Sequence, residues 1–249
     1  MSDKPKIMTV YGTRPEAIKV APVVSALQDD DRFESVVVST GQHREMLEQV
    51  NKRFGITPDH DMALMKPGQT LNELVARAIQ GLDPIIEEEQ PDVIISQGDT
   101  STAMVAALAG FHKGVKIVHL EAGLRTGNIF SPFPEEANRK IIGQIASLHL
   151  APTNESRENL RRENFRSKDI VVTGNTVIDA LLAASEWDVK FDDQRLEELR
   201  SSDEKLVLVT THRRENLDAM KEIGGAVQDL AKSYPDHILS LIHISEPTR

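Results

Sequence analysis

The sequence predicts an α/β fold built on a parallel sheet with helices on both faces, and three observations carry that prediction. Short apolar, β-rich runs alternate with longer amphipathic ones along the chain. Most of the short runs are apolar on successive residues, the pattern of strands covered on both faces. The carboxyl ends of these runs are crowded with small and functional residues, and open α/β sheets bind their ligands beyond those ends.

The elements follow in order. Ile7–Tyr11 is the first strand, and Gly12 turns it into a helix over Glu16–Gln28, with Pro15 suited to the first helical turn. Ser35–Ser39, Val93–Ser96, Lys116–Leu120, Leu148–Leu150, Ile170–Thr173 and Leu206–Thr210 read as further strands. Helical patterns lie at Arg44–Phe54, Leu71–Glu89, Ser101–Phe111, Glu135–Ala146, Glu155–Glu163 and Leu217–Lys232. Thr100 or Ser101, and Asn154, suit helix caps. The polar stretch Ser185–Lys205 separates a dense block from one further βα unit. The predicted division is therefore a first domain over 1–184, a linker and the start of a second domain over 185–239, and a tail over 240–249.

At 249 residues the chain suits one large or two modest domains. A net charge of −10 argues against nucleic acid, which is bound through an excess of Lys and Arg. The absence of cysteine excludes disulfides, thiol catalysis and Cys-based zinc sites. Met1–Lys6 is polar and Ile7–Tyr11 is too short for a signal-peptide core. No stretch approaches the roughly 20 apolar residues that span a bilayer. A cytoplasmic protein without membrane partners is expected.

Several strand ends and one helix start carry candidate chemistry. In Gly12–Lys19 (GTRPEAIK) a helix start offers N–H groups and a favourable dipole to phosphate, with Arg14 in the turn and Lys19 about one turn on. A solvated helix with surface charges explains the same string equally well. Asp99, in Gly98-Asp99-Thr100, is either a base at a strand end or a turn cap. Glu121 ends the apolar run Ile117–Leu120, where desolvation raises a carboxyl pKa toward the range of a general acid or base. The plain alternative is a salt bridge to Arg125. Ser131–Arg139 (SPFPEEANR) delivers Glu135 and Glu136 to a helix start, where acids are favourable anyway, with Arg139 one turn beyond Glu135. At least one of the two glutamates is expected to be solvated. Thr211–Asn216 (THRREN) places His212 and Arg213 after a buried strand, a pairing suited to an anionic leaving group. His43-Arg44 is a weaker case of the same kind. His112, His149 and His237 are read as structural.

Taken together the motifs GTRPEAIK, QHREML (Gln42–Leu47), GDT (Gly98–Thr100), HLEAGLRTG (His119–Gly127), PEEANR (Pro134–Arg139), TGNTVIDAL (Thr173–Leu181) and HRREN (His212–Asn216) resemble the non-hydrolysing UDP-N-acetylglucosamine 2-epimerases of bacterial type. The resemblance runs over residues 6 to 239. It implies two Rossmann-like domains in a GT-B-like arrangement with the substrate between them, the second incomplete here, and a homodimer. It also implies interconversion of UDP-N-acetylglucosamine (UDP-GlcNAc) and UDP-N-acetylmannosamine (UDP-ManNAc), by loss and re-addition of UDP through a 2-acetamidoglucal.

On that resemblance Asp99, Glu121 and Glu135 match acid/base carboxyl groups, and His212 matches a histidine near the leaving diphosphate. Arg14, Lys19, Arg139 and Arg213 match the substrate-binding cations. Gln42 and Gln69, with Glu135, lie in motifs matching a second, allosteric UDP-GlcNAc site. No cofactor and no metal is implied. Ser240–Arg249 (SLIHISEPTR) departs from the family and resembles translated sequencing-adapter sequence, so His243 carries no weight. The chain by itself is expected to lack turnover. Competing readings are a hydrolysing 2-epimerase, a glycosyltransferase of the same architecture and a non-catalytic sugar-nucleotide-binding remnant.

Overall fold

Successive apolar residues in the strands bury side chains on both sides of one parallel sheet. β1 (Lys6–Tyr11) sends Met8 and Val10 to one face and Tyr11 to the other, and β2 (Glu34–Ser39) divides Val36 and Val38 from Val37 in the same way. β4 (Val93–Gln97) repeats the pattern with Ile94 and Ile95, and β5 (Lys116–Leu120) with Ile117 and Leu120. The computed structural model describes residues 4–41, 44–66, 68–203, 205–210 and 219–242.

Helices cover both faces. α3 (Leu71–Glu89), α4 (Ser101–His112) and α5 (Glu135–Ile145) contribute Leu82, Ala106 and Ile142 to one core. α1 (Arg14–Gln28) and α2 (Arg44–Phe54) contribute Val20, Val24 and Leu47 to the other. The sheet is completed by β3 (His60–Asp61), β6 (Leu148–Ala151) and β7 (Ile170–Val172), all strands parallel, in the order β3-β2-β1-β4-β5-β6-β7. The order reverses between β1 and β4, and in doubly wound sheets that reversal opens a crevice at the carboxyl ends of the strands.

α6 (Asn154–Arg162) is capped by Thr153, whose hydroxyl accepts the Ser156 N–H, so the cap lies one residue before the expected Asn154. α7 (Thr176–Ser185), not anticipated as a helix, packs on α1. Contacts divide the chain into Met1–Glu186 and Trp187–Arg249. The second unit contains α8 (Gln194–Arg200), which lies inside the stretch expected to be linker and is capped by Asp193, then β8 (Lys205–Thr210), α9 (Met220–Ser233) and β9 (His237–Ile242). β8 and β9 pair in parallel through Ile242, and among its described residues this unit buries none.

Candidate active site

The β1–α1 turn is satisfied by its own side chains. The backbone N–H groups of Gly12 and Thr13 both donate to Glu16 Oε2, at 3.0 and 2.7 Å, and the Glu16 N–H returns to Thr13 Oγ1 in a capping box. Pro15 has no N–H to offer. The expectation of free amides for phosphate at this helix start is therefore narrowed: Glu16 occupies those of Gly12 and Thr13, which leaves the Arg14 N–H, with the Arg14 and Lys19 side chains, to meet an anion. Glu16 is fully buried, and its other oxygen accepts the Thr100 hydroxyl at 2.5 Å. Burial pushes its carboxyl pKa up against those hydrogen bonds.

The β4–α4 turn needs Gly98 in the left-handed region, at φ +73°. His119, fully buried on β5, lies with Nε2 2.7 Å from the Gly98 carbonyl and is held neutral, its pKa pushed down to about 3 by burial. Thr100 caps α4 by accepting the Ala103 N–H, which leaves its hydroxyl hydrogen for Glu16. Asp99 between them is held from α5: Asn138 Nδ2 donates to its carbonyl at 2.8 Å and Arg139 Nη2 to its Oδ2 at 2.6 Å. Burial raises the Asp99 pKa, Arg139 and Lys19 oppose the rise, and Glu121 and Glu135 reinforce it.

Glu121 follows β5 with φ +65°, a conformation side chains rarely adopt, which turns its carboxylate back over the strand ends. Among the described residues each of its hydrogen-bond partners is a donor. Lys19 Nζ lies 2.6 Å from Oε2, the Gln97 amide donates to the same oxygen, and Asn175 Nδ2 donates to Oε1 at 3.2 Å. Asn175 serves twice, since its Oδ1 accepts the Val177 N–H to cap α7. The alternative bridge from Glu121 to Arg125 does not form; Arg125 instead makes a bidentate pair with Glu163 at 2.8 Å.

α5 opens with Glu135 half-buried on the cleft wall, while Glu136 is buried completely, so the solvated member of the pair is Glu135. Glu136 Oε2 accepts the Thr126 N–H at 3.2 Å and pairs with Arg139 Nη1 at 3.5 Å. Arg139 thus sits behind Asp99, between two carboxyl groups, rather than on the cleft lining.

These side chains enclose a cleft of about 550 Å³ lined by Arg14, Lys19, Asp99, Glu121, Leu124 and Glu135 over a floor of Thr13, Glu16, Gln97 and Thr100. It lies at the carboxyl ends of β1, β4 and β5, where the strand order reverses. Its chemistry is that of several carboxyl groups beside an ammonium and a guanidinium, suited to moving protons next to an anionic group. Gln69 lies apart, lining a separate depression with Lys66, Gly68, Glu73 and Arg77. Gln42, His212 and Arg213 lie outside the described residues. Among the described residues no cluster of His, Asp or Glu is arranged to hold a metal, and no helix is long and apolar enough to cross a membrane.

Sequence reasoning missed Glu16, Gln97, Asn138 and Asn175, and gave Glu136 no part beyond favouring a helix start. Glu16 carried a readable signal, the spacing Thr13-x-x-Glu16 of a capping box. Asn175 carried one as a cap before an apolar run.

The profile of the UDP-N-acetylglucosamine 2-epimerases matches residues 25–249. The chain belongs to the UDP-N-acetylglucosamine 2-epimerase family. It is 47% identical to the UDP-N-acetylglucosamine 2-epimerase of Yersinia pestis over 253 residues, a match covering 97% of this chain and 67% of that protein. The enzyme of the same name from Escherichia coli strain K12 is also 47% identical, with 98% and 67% covered. The crystal structure of UDP-GlcNAc 2-epimerase from Neisseria meningitidis bound to UDP-GlcNAc superposes with a TM-score of 0.88 at 41% identity, covering 98% of this chain and 67% of that one. The chain thus spans about two thirds of the length of these relatives, and its first unit is the Rossmann-like sheet domain of a GT-B-type epimerase fold.

Proposed function

We propose that the cleft is the sugar-facing part of a site for reversible epimerisation at carbon 2 of UDP-GlcNAc, giving UDP-ManNAc. One observation carries the reading: Asp99, Glu121 and Glu135 converge with Lys19 on one cleft at the switch point of the sheet, in a chain of this family. A carboxylate removes the proton from carbon 2 while the bond from carbon 1 to the UDP oxygen breaks, leaving a 2-acetamidoglucal and UDP. Re-addition of UDP to carbon 1, with a proton delivered to the other face of carbon 2, completes the inversion. The proton donor and acceptor for the two faces are drawn from Asp99, Glu121 and Glu135. Arg14 and Lys19 face the diphosphate, joined by His212 and Arg213 on the resemblance. Arg139 is assigned to holding Asp99 in place. No residue here is asked to hold a cofactor.

Two further roles rest on the resemblance alone: a second UDP-GlcNAc bound near Gln42 and Gln69, and assembly as a homodimer.

The deciding experiment is incubation with UDP-GlcNAc in heavy water, using the 249-residue chain and the chain extended over the remainder of its relatives' length. Deuterium at carbon 2 of both UDP-sugars, formed by the extended chain, is the expected result. Release of UDP and free N-acetylmannosamine would establish the hydrolysing reaction instead. Calorimetric binding without deuterium in either form would leave a binding module. The short chain is expected to bind without turnover, and deuterium incorporated by it alone would overturn that expectation.

A further inference from the structure

Glu16 is the one buried carboxyl of the cleft floor to which the proposed chemistry assigns no task. A second capping box in the same protein shows what a local role looks like. At the start of α3, Thr70 and Glu73 form the same reciprocal pair, the Thr70 N–H donating to Glu73 Oε2 at 2.7 Å. Glu73 is exposed, its hydrogen bonds stay within the box, and its pKa is lowered by those bonds, with the charge of Arg77 one turn on adding in the same sense. Glu16 differs on each count. It is 2% exposed, its pKa is raised, and it reaches Thr100, which lies 84 residues away in the sequence on the turn after β4.

The bond therefore ties two turns together. One carries Arg14 and, a turn of helix later, Lys19; the other carries Asp99. Both meet Glu16 through separate oxygens, the Gly12 and Thr13 amides at Oε2 and the Thr100 hydroxyl at Oε1. We propose that Glu16 is a positioning residue that sets the turn bearing Arg14 and Lys19 against the turn bearing Asp99, and so holds Asp99 in register with Arg139. The proposal rests on the reading of this cleft as the reactive site, although the contacts it concerns exist without substrate.

The chemistry of the bonds makes the proposal separable from a simple charge effect. Oε2 only accepts, from two amides. Oε1 faces Thr100 Oγ1, a hydroxyl that can donate to a carboxylate or accept from a protonated acid. Glu16→Gln therefore keeps the same partners with one bond reversed: its carbonyl accepts from Gly12 and Thr13, and its NH₂ donates to Thr100, whose own hydrogen turns aside. Glu16→Ala removes the same charge and all of the contacts. Glu16→Asp keeps the acid but is one methylene too short to span both turns.

The test is titration of the Asp99 side-chain carbon by ¹³C NMR in the 249-residue chain, with the amide spectrum confirming that each variant is folded. No sugar nucleotide is added, so failure of the proposed epimerase reaction leaves this measurement untouched, and the reverse also holds. Glu16→Gln is expected to titrate at Asp99 as the wild type does. In Glu16→Ala the midpoint is expected to rise by about one unit, a roughly tenfold change in proton affinity, as Asp99 stays buried but slips from Arg139. Glu16→Asp is expected to shift the same way, and serves if the alanine variant does not fold. Wild-type titration in folded Glu16→Ala or Glu16→Asp would overturn the proposal. A shift in Glu16→Gln as large as in the others would also overturn it, since charge rather than position would then govern Asp99.

Discussion

Lys19 on α1 and Glu121 after β5 meet at 2.6 Å across the mouth of the cleft, although 102 residues separate them in the sequence. The pair is shielded on both sides, with side-chain exposures of 26% and 10%. Lys19 was expected to face phosphate, and in this structure its ammonium is engaged by the carboxylate. An arriving diphosphate must share or displace that contact, so the cation that binds the leaving group and the carboxylate proposed for proton transfer are coupled directly. Lys19→Met leaves Glu121 with two amide donors and no cation. Because the pair lies between a surface bridge and a fully buried one, the variant is expected to lose roughly 2 kcal/mol of stability in urea unfolding at pH 7. Wild-type stability would show that the contact contributes nothing to the fold.

Asn175 allows the helix cap to be separated from the site. Its oxygen caps α7 and its amide donates to Glu121. Asn175→Asp keeps the capping acceptor but sets an anion against Glu121, whereas Asn175→Ala removes both. Loss of the cap alone costs about 1 kcal/mol. The aspartate variant keeps the cap but adds a like-charge contact of on the order of 1.4 kcal/mol in a shielded cleft, so it is expected to lose about that much stability in urea and to bind the anionic UDP-GlcNAc about tenfold more weakly, read by calorimetry. Equal affinity in wild type and Asn175→Asp would remove Asn175 from the site.

His119 makes stability depend on pH in a definite direction. Its folded pKa of about 3 lies below the ordinary histidine value of 6.5, so the unfolded chain takes up a proton first as pH falls. Its contribution is complete above pH 6.5, and is lost progressively down to about pH 3. At pH 5 the loss amounts to about 2 kcal/mol. His149 adds in the same sense, burial having lowered its pKa as well. The raised carboxyl groups of Asp99 and Glu16 act oppositely, because the folded state holds their protons to higher pH. The histidine term is therefore read as the difference between wild type and His119→Gln, whose amide can still donate to the Gly98 carbonyl. That difference should change by about 2 kcal/mol between pH 7 and pH 5. A constant difference would mean that His119 is not held neutral.

Much of the first unit could be read in the sequence because its strands are buried on both faces and announce themselves as unbroken apolar runs. β3 could not, being two residues long. α7 was not read as a helix although Ile178, Leu181 and Leu182 stand at helical spacing in the sequence; in the structure that stripe is exposed and only Ala180 is buried. The residues at the strand ends were also legible, and Asp99, Glu121 and Glu135 do line one cleft. Their partners were not. Lys19 with Glu121, Glu16 with Thr100 and Arg125 with Glu163 are pairs set by which strands lie side by side. The reversal that puts β1 beside β4 leaves no local mark in the chain.

The same reversal packs Gly12 so tightly that a side chain has no room. A Cβ there would lie 2.7 Å from Thr102 Oγ1 and closer still to Thr40 Oγ1. Its backbone does not fall in the left-handed region, so the obstacle is steric. The two threonine hydroxyls are bonded to each other at 3.3 Å, and turning either aside breaks that bond. Gly12→Ala is therefore expected to cost about 1–3 kcal/mol, the usual range for overpacking a core. It should also disturb the Glu16 contacts that begin at the Gly12 amide. Thr40→Ala removes the nearer obstruction and the hydroxyl pair together, so the double variant should recover part of the loss, a coupling measured by a double-mutant cycle in urea. Additive losses, or a Gly12→Ala protein as stable as the wild type, would show that the floor of the cleft is looser than this packing implies.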